Sequence, residues 1–296
     1  MARPPESADD PVMPRFFRGL LALAFAFAAL GPVAGLFVGA LRGVDGGTQA
    51  TLLIGQSPIA GLIAGIAAFG VAAIAGGIGS KAAGLNVGLA CAGLTLSWAA
   101  WLSGRLDEIV IVSRVSPMPG LVIEGLFVML LLAGVLYIVR RYSISEPDPE
   151  SEGGASAIAI SLVVGLAMSA VAAWLLAVEP LKGQTIGAAF VAGLVGAATA
   201  RLVFLRLPGW TVAAIPAALA ILGPLATHAI AGDVVADVFN RSLFRLGWLL
   251  PLDWAAGALM GIPIGLAWTD NVVQQTRGPE AGSQSGPPSG PQNPAA

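Results

Sequence analysis

The sequence predicts an all-α, polytopic transmembrane helix bundle of about eight helices, and three observations predict it. First, 56% of its 296 residues are apolar and only 11% are charged, whereas soluble domains carry about 25% charged residues. A soluble fold has too little interior to hide so much apolar surface from water. Second, the apolar residues gather into eight runs, each matching the roughly 20 residues that cross a hydrocarbon core. Third, these runs are apolar all round. Barrel strands alternate polar and apolar positions, so helices are implied.

The elements follow in order. Residues 1–18 form a polar N-terminal segment, expected in the cytoplasm. Arg15 and Arg18 then precede the run Gly19–Leu41. That run is longer than the apolar core of a signal peptide, about 7–15 residues, so a retained helix is expected. Gly31, Gly35, Gly39 and Gly43 recur every four positions on one helix face, where glycine admits a second backbone. The second run is Pro58–Gly79, and only Ser80 and Lys81 separate it from the third, Ala82–Gly104. Pro119–Val139 is the fourth and contains Glu124. Residues 140–154 read as an acidic cytoplasmic loop with Glu146, Asp148, Glu150 and Glu152.

The second series begins with Ala155–Val178, followed by Gly183–Leu205. Arg201, near the end of the latter, can extend its head group to the cytoplasmic interface. Gly209–Ala231 carries Pro216, Pro224 and the chain's one histidine, His228. Gly247–Thr269 holds Asp253, Pro263 and a second glycine face of Gly257, Gly261 and Gly265. Residues 278–296 are Gly, Pro, Ser and Gln with little apolar content, the composition of a disordered tail.

Flanking cations indicate orientation. With the N-terminus inside, the cytoplasmic set is Arg3, Arg15, Arg18, Lys81, Arg140, Arg141, Arg201, Arg206 and Arg277. The outer set, Arg42, Arg105, Arg114, Lys182, Arg241 and Arg245, is smaller. A cell-membrane protein with both termini cytoplasmic is therefore expected. Trp98, Trp101, Trp174, Trp248 and Trp254 fall near outer span ends, as an interfacial belt would place them.

The halves 19–139 and 155–277 show traces of a four-plus-four duplication. Gly55-Gln56-Ser57 resembles Gly183-Gln184-Thr185, and Pro119 with Gly125 resembles Pro251 with Gly257. Even-numbered halves would share orientation about an axis along the membrane normal. The competing reading is that Ala- and Gly-rich helices align with one another easily. Two outer segments leading into the last span of each half, 107–115 and 234–250, mix apolar and charged residues as short interfacial elements do. They are candidate gates or simple connectors.

Function rests on the polar residues inside the spans, because a charge at the bilayer centre costs about 2.5–3.5 kcal/mol on insertion scales. Glu124, Asp253 and His228 all fall in the outer third, where Gln56 and Gln184 begin the second and sixth spans. Together they suggest an outward polar vestibule of a small-solute or ion permease, with the two acids binding a cation or protons. The blander account has Asp253 capping its helix and Glu124 pairing with Arg105 or Arg114. A non-transporting membrane scaffold or assembly protein is the alternative function.

Other classes find no support. One cysteine, Cys91, and one histidine exclude an intramolecular disulfide and the two-histidine zinc motifs. No phosphate-binding loop or nucleophile elbow occurs, so nothing points to an enzyme or to a cofactor. A net charge of −2 without clustered cations gives nucleic acid no footing. The partners expected are the lipid bilayer and a small solute or cation.

Overall fold

The computed structural model describes residues 14–143 and 154–276. The acidic loop and the tail expected from composition lie outside the described residues, as does the start of the N-terminal segment. Among the described residues every regular element is helical.

Helix α1 runs Arg15–Gly39 and is interrupted by one π-type turn, Ala26–Leu30, just before Gly31 and Pro32. Proline has no N–H to give the helical ladder, and a local π register is one way to absorb that loss. The long helices α2 (Pro58–Ala83) and α3 (Leu85–Leu102) follow. They are joined by Gly84 alone, whose φ of 101° requires a residue without a side chain. Ser57 caps α2 by accepting a hydrogen bond from the Ala60 amide. The short α4 (Leu106–Ser113) leads into α5 (Met118–Arg141). The second series repeats this layout with α6 (Ala155–Leu176), α7 (Lys182–Val203) and α8 (Ala214–Ile230), the last entered through a 3-10 turn, Gly209–Ala213. A short α9 (Val234–Phe239) precedes α10 (Pro251–Thr276).

Seven of these segments are long and apolar enough to cross a membrane by length and composition, and α10 is an eighth long helix in the bundle's interior. The chain is a multi-pass membrane protein. Large apolar side chains such as Leu36, Ile59, Ile63, Leu130 and Val163 point outward, as a lipid-facing surface requires.

Helix α10 organises the interior by packing on α7 and α3. A β-carbon at Gly257 would stand 2.5 Å from the Ile186 carbonyl oxygen, and those at Gly261 and Gly265 would overlap the Phe190 and Leu194 carbonyls. The α7 backbone therefore lies directly on the glycine face of α10. Helix α8 packs on α5, and α3 on both α1 and α2.

One end of the bundle carries the 40–57 connection, α4 and α9. The two short helices touch each other. Leu106 and Val110 from α4 join Val234 and Val238 from α9, with Met118, Leu121, Trp248 and Leu250, in a small apolar cluster of their own. A left-handed arginine follows each short helix, Arg114 directly after α4 with φ 54° and Arg241 one residue further on after α9 with φ 56°.

Two tryptophans depart from the expected interfacial belt. Trp254 is fully buried because α10 lies inside the bundle, and Trp248, in the turn before α10, is buried in the α4–α9 apolar cluster. Trp101, Trp174 and Trp268 are exposed, as belt residues are.

Candidate functional site: two buried carboxylates and a lysine

The α4–α9 end holds the chain's polar interior. Among the described residues, the charged side chains that are buried are Glu124, Asp253 and Lys182. Each stands near the start of its helix, where the neighbouring connections reach inward.

Glu124 lies on the second turn of α5 and is 0% exposed. Its partner is the irregular segment preceding α2. Ala50, Thr51 and Leu52 of this segment are buried, and the Leu52 carbonyl sits so close to Gly61 of α2 that any side chain there would overlap it. Non-helical backbone at this depth is tolerated only where protein surrounds it and its polar groups find partners. Here the Gly104 amide donates to the Ala50 carbonyl at 2.7 Å, and Thr51 and Ile54 close a turn through their backbones at 3.0 Å. That turn aims two donors at Glu124. The Thr51 hydroxyl and the Leu53 amide, the latter at 3.0 Å, both donate to Oε2. Its other oxygen, Oε1, is buried and has no hydrogen-bond partner.

Asp253 stands two residues after Pro251 in the first turn of α10 and is likewise 0% exposed. Oδ2 accepts the Leu250 amide at 3.1 Å, the capping geometry of an acid in the first helical turn. Oδ1 lies 3.0 Å from Nζ of Lys182, which opens α7. The same ammonium donates to the Ser103 hydroxyl, at the end of α3, at 2.8 Å. Lys182 is also within electrostatic reach of Glu124. The ammonium is thus bonded to Asp253 and Ser103 and acts on Glu124 only through space.

The residues expected at this site divide. Glu124 and Asp253 are both in the buried cluster. Asp253 also caps its helix, so the two roles weighed for it coexist. Arg105 and Arg114 do not neutralise Glu124: Arg105 pairs with Asp107 at 2.5 Å and approaches Glu108 at 3.5 Å, while Arg114 lies over the Phe239 ring. His228 is exposed at the last turn of α8, where it engages neither acid. Gln56 is exposed. Gln184 staples its own loop, accepting from the Glu179 amide at 2.9 Å and donating to the Leu176 carbonyl at 2.8 Å.

Three participants escaped sequence reasoning. Lys182 reads as an interfacial cation because it sits at a span end next to Gly183, and nothing local shows that Ser103 and Asp253 enclose it. Thr51 lies in a connection outside the apolar runs, and Ser103 is the next-to-last residue of the third run, where a serine carries no signal of its own. The one available signal was arithmetic: two acids within apolar spans demand a cation, and Lys182 flanks an apolar run at the same level.

Two cavities open near the cluster. One of about 160 Å³ is lined by Thr51, Arg42, Gln56 and Ser57. Another of about 270 Å³ lies between α4, α9 and the α6–α7 connection, with Arg105, Asp107, Glu179 and Arg241 on its wall. Neither acid lines these cavities. Glu124 and Asp253 sit behind them, rather than on the wall of an open vestibule. At the opposite end, a polar cavity of about 200 Å³ is lined by Arg15, Asn86, Arg201 and Asp270. There Arg201 bonds the Leu207 carbonyl and lies 3.4 Å from Asp270, which holds it in place at its helix end.

No family model, curated protein or solved structure matches the chain. The functional reading therefore rests on the site alone.

Proposed function

We propose that this protein is a small-solute or ion permease of the cell membrane, in an occluded form with its outward vestibule closed over Glu124 and Asp253. The observation that carries the proposal is the buried cluster itself. Polar and ionisable groups inside a membrane bundle are costly, and they are kept where a substrate or ion pathway needs them. A buried glutamate with one unpartnered oxygen, at the same end of the bundle as a buried lysine–aspartate pair, has that character. The cytoplasmic N-terminus inferred from the cation bias puts this end outside.

The layout also supports the four-plus-four duplication. Packing of α3 on α10 has its counterpart in packing of α8 on α5, as a two-fold along the membrane normal would give. In each half the fourth long helix bears the acid, and the segment entering the second long helix supplies its partner: Thr51 and Leu53 for Glu124, Lys182 for Asp253. Transporters built from such repeats bind substrate at the repeat interface. The scaffold alternative accounts for the glycine contacts of α7 and α10 but gives no reason for burying three charges.

The test is accessibility in reconstituted vesicles. In a Cys91→Ala background, Thr51→Cys should react with a membrane-impermeant thiol reagent, and Ala92→Cys, deep in α3, should stay inert. A permease opens to Thr51 intermittently, giving slow but complete labelling. Equal inertness at both positions would leave a solid scaffold as the better account.

A further inference from the structure

We infer that Glu124 is a proton-binding site, and that the occluded form carries a proton on Glu124 while Asp253 remains ionised against Lys182. The inference deepens the permease reading by naming the ion at the site, and it rests on that reading only for the statement that the proton moves.

The first argument is charge balance. Two carboxylates face one ammonium in a volume sealed from water, so the cluster carries a net negative charge if both acids are ionised. Removing an uncompensated charge from water is costly, and a buried acid avoids the cost by taking up a proton. The second argument is coordination. A metal cation of the hard class gathers six or more oxygen ligands. Around Glu124 the structure offers one hydroxyl and the backbone N–H groups of Leu53 and Leu52, and an amide N–H repels a cation. With its donors on Oε2 and none on Oε1, an ionised Glu124 would leave one carboxylate oxygen buried without a donor, a cost that a proton on Oε1 removes. Asp253 has the opposite pattern, with an ammonium on one oxygen and an amide on the other.

Among the described residues, the 40–57 connection that bonds Glu124 carries two charged groups, both exposed: Arg42, bonded to the Gly39 and Leu41 carbonyls, and Asp45. From α10 comes Asp253 and from α7 Lys182. Helix α8 offers His228, which is exposed, and α2 offers Lys81 at its far end. The only titratable group of α3 is Cys91. On α4, Asp107 and Glu108 are matched with Arg105. The proton comes from water at the cavity that reaches Thr51, adds to Oε1 and leaves by the same oxygen. When it leaves, Lys182 is the cation in reach to compensate.

Infrared difference spectroscopy of the purified full-length protein tests this without any transport assay. At neutral pH the protein should show a protonated-carboxyl band that is lost in Glu124→Gln and kept in Asp253→Asn. Glu124→Gln copies the protonated acid, so its thermal midpoint should match the parent protein. A band that survives Glu124→Gln, or its absence from the parent, overturns the inference. The outcomes separate the two ideas: the band with an inert Thr51→Cys sinks the permease and keeps the proton, and labelling without the band does the reverse.

Discussion

Arg114 and Arg241, 127 positions apart, follow the two short helices α4 and α9, both with φ in the left-handed region. A side chain in that region carries strain of about 1–2 kcal/mol. Their head groups differ: Arg114 lies over the Phe239 ring, whereas Arg241 is mostly exposed and only approaches Glu179, at 3.9 Å. Arg241→Gly should therefore stabilise the protein, by about 0.5–1 kcal/mol. Arg114→Gly should gain less, since it also loses the ring contact. Thermal unfolding in detergent orders the two variants, and a destabilised Arg241→Gly would show that the surface cation matters more than backbone strain.

Removing the lysine head group strands a carboxylate. Lys182→Met leaves Asp253 buried beside an apolar chain and should cost about 3–5 kcal/mol. The pair Lys182→Met with Asp253→Asn should recover most of that loss, because neither partner is then charged. Additive losses in the two single variants and the double would argue against a direct pair.

Glycine positions separate sharply by what lies above them. Gly61→Ala drives a methyl into the Leu52 carbonyl, which must move together with Thr51 and Leu53. The cost should reach the upper part of the roughly 1–3 kcal/mol range for overpacking, and the labelling rate of Thr51→Cys should rise as the turn loosens. Gly70 in the same helix has nothing within 4 Å of an added β-carbon. Gly70→Ala should be neutral or stabilise by up to about 1 kcal/mol through helix propensity.

At the opposite end Arg201 bridges α7 to the Leu207 turn and to Asp270 of α10. The side chain is 22% exposed, so water screens part of the pairing. Arg201→Met should lower stability by about 1–2 kcal/mol, while Asp270→Asn should cost less because the Leu207 bond persists. A larger loss for Asp270→Asn would reverse the assignment of which partner holds the arginine.

The helical bundle was legible because a transmembrane segment announces itself by length and uniform composition, both local properties. The long helices fall within a few residues of the apolar runs, and the short α4 and α9 lie where apolar and charged residues mix. Half of the site was legible too: Glu124 and Asp253 stand out because acids in such runs are costly. Their partners did not, since a lysine beside a span looks the same from sequence whether it faces headgroups or an aspartate. His228 misled for the complementary reason. Its depth is readable, but which way it faces depends on the packing of α8 against α5, and α8 turns it outward. Trp254 shows the same ambiguity, resolved inward.

The single residue between α2 and α3 also bears on how the protein is made. Gly84 leaves no slack for these helices to enter lipid one after the other with a stable intermediate between them. The pair should therefore enter lipid together as a hairpin, and a few flexible residues added after Gly84 should let the two helices insert separately.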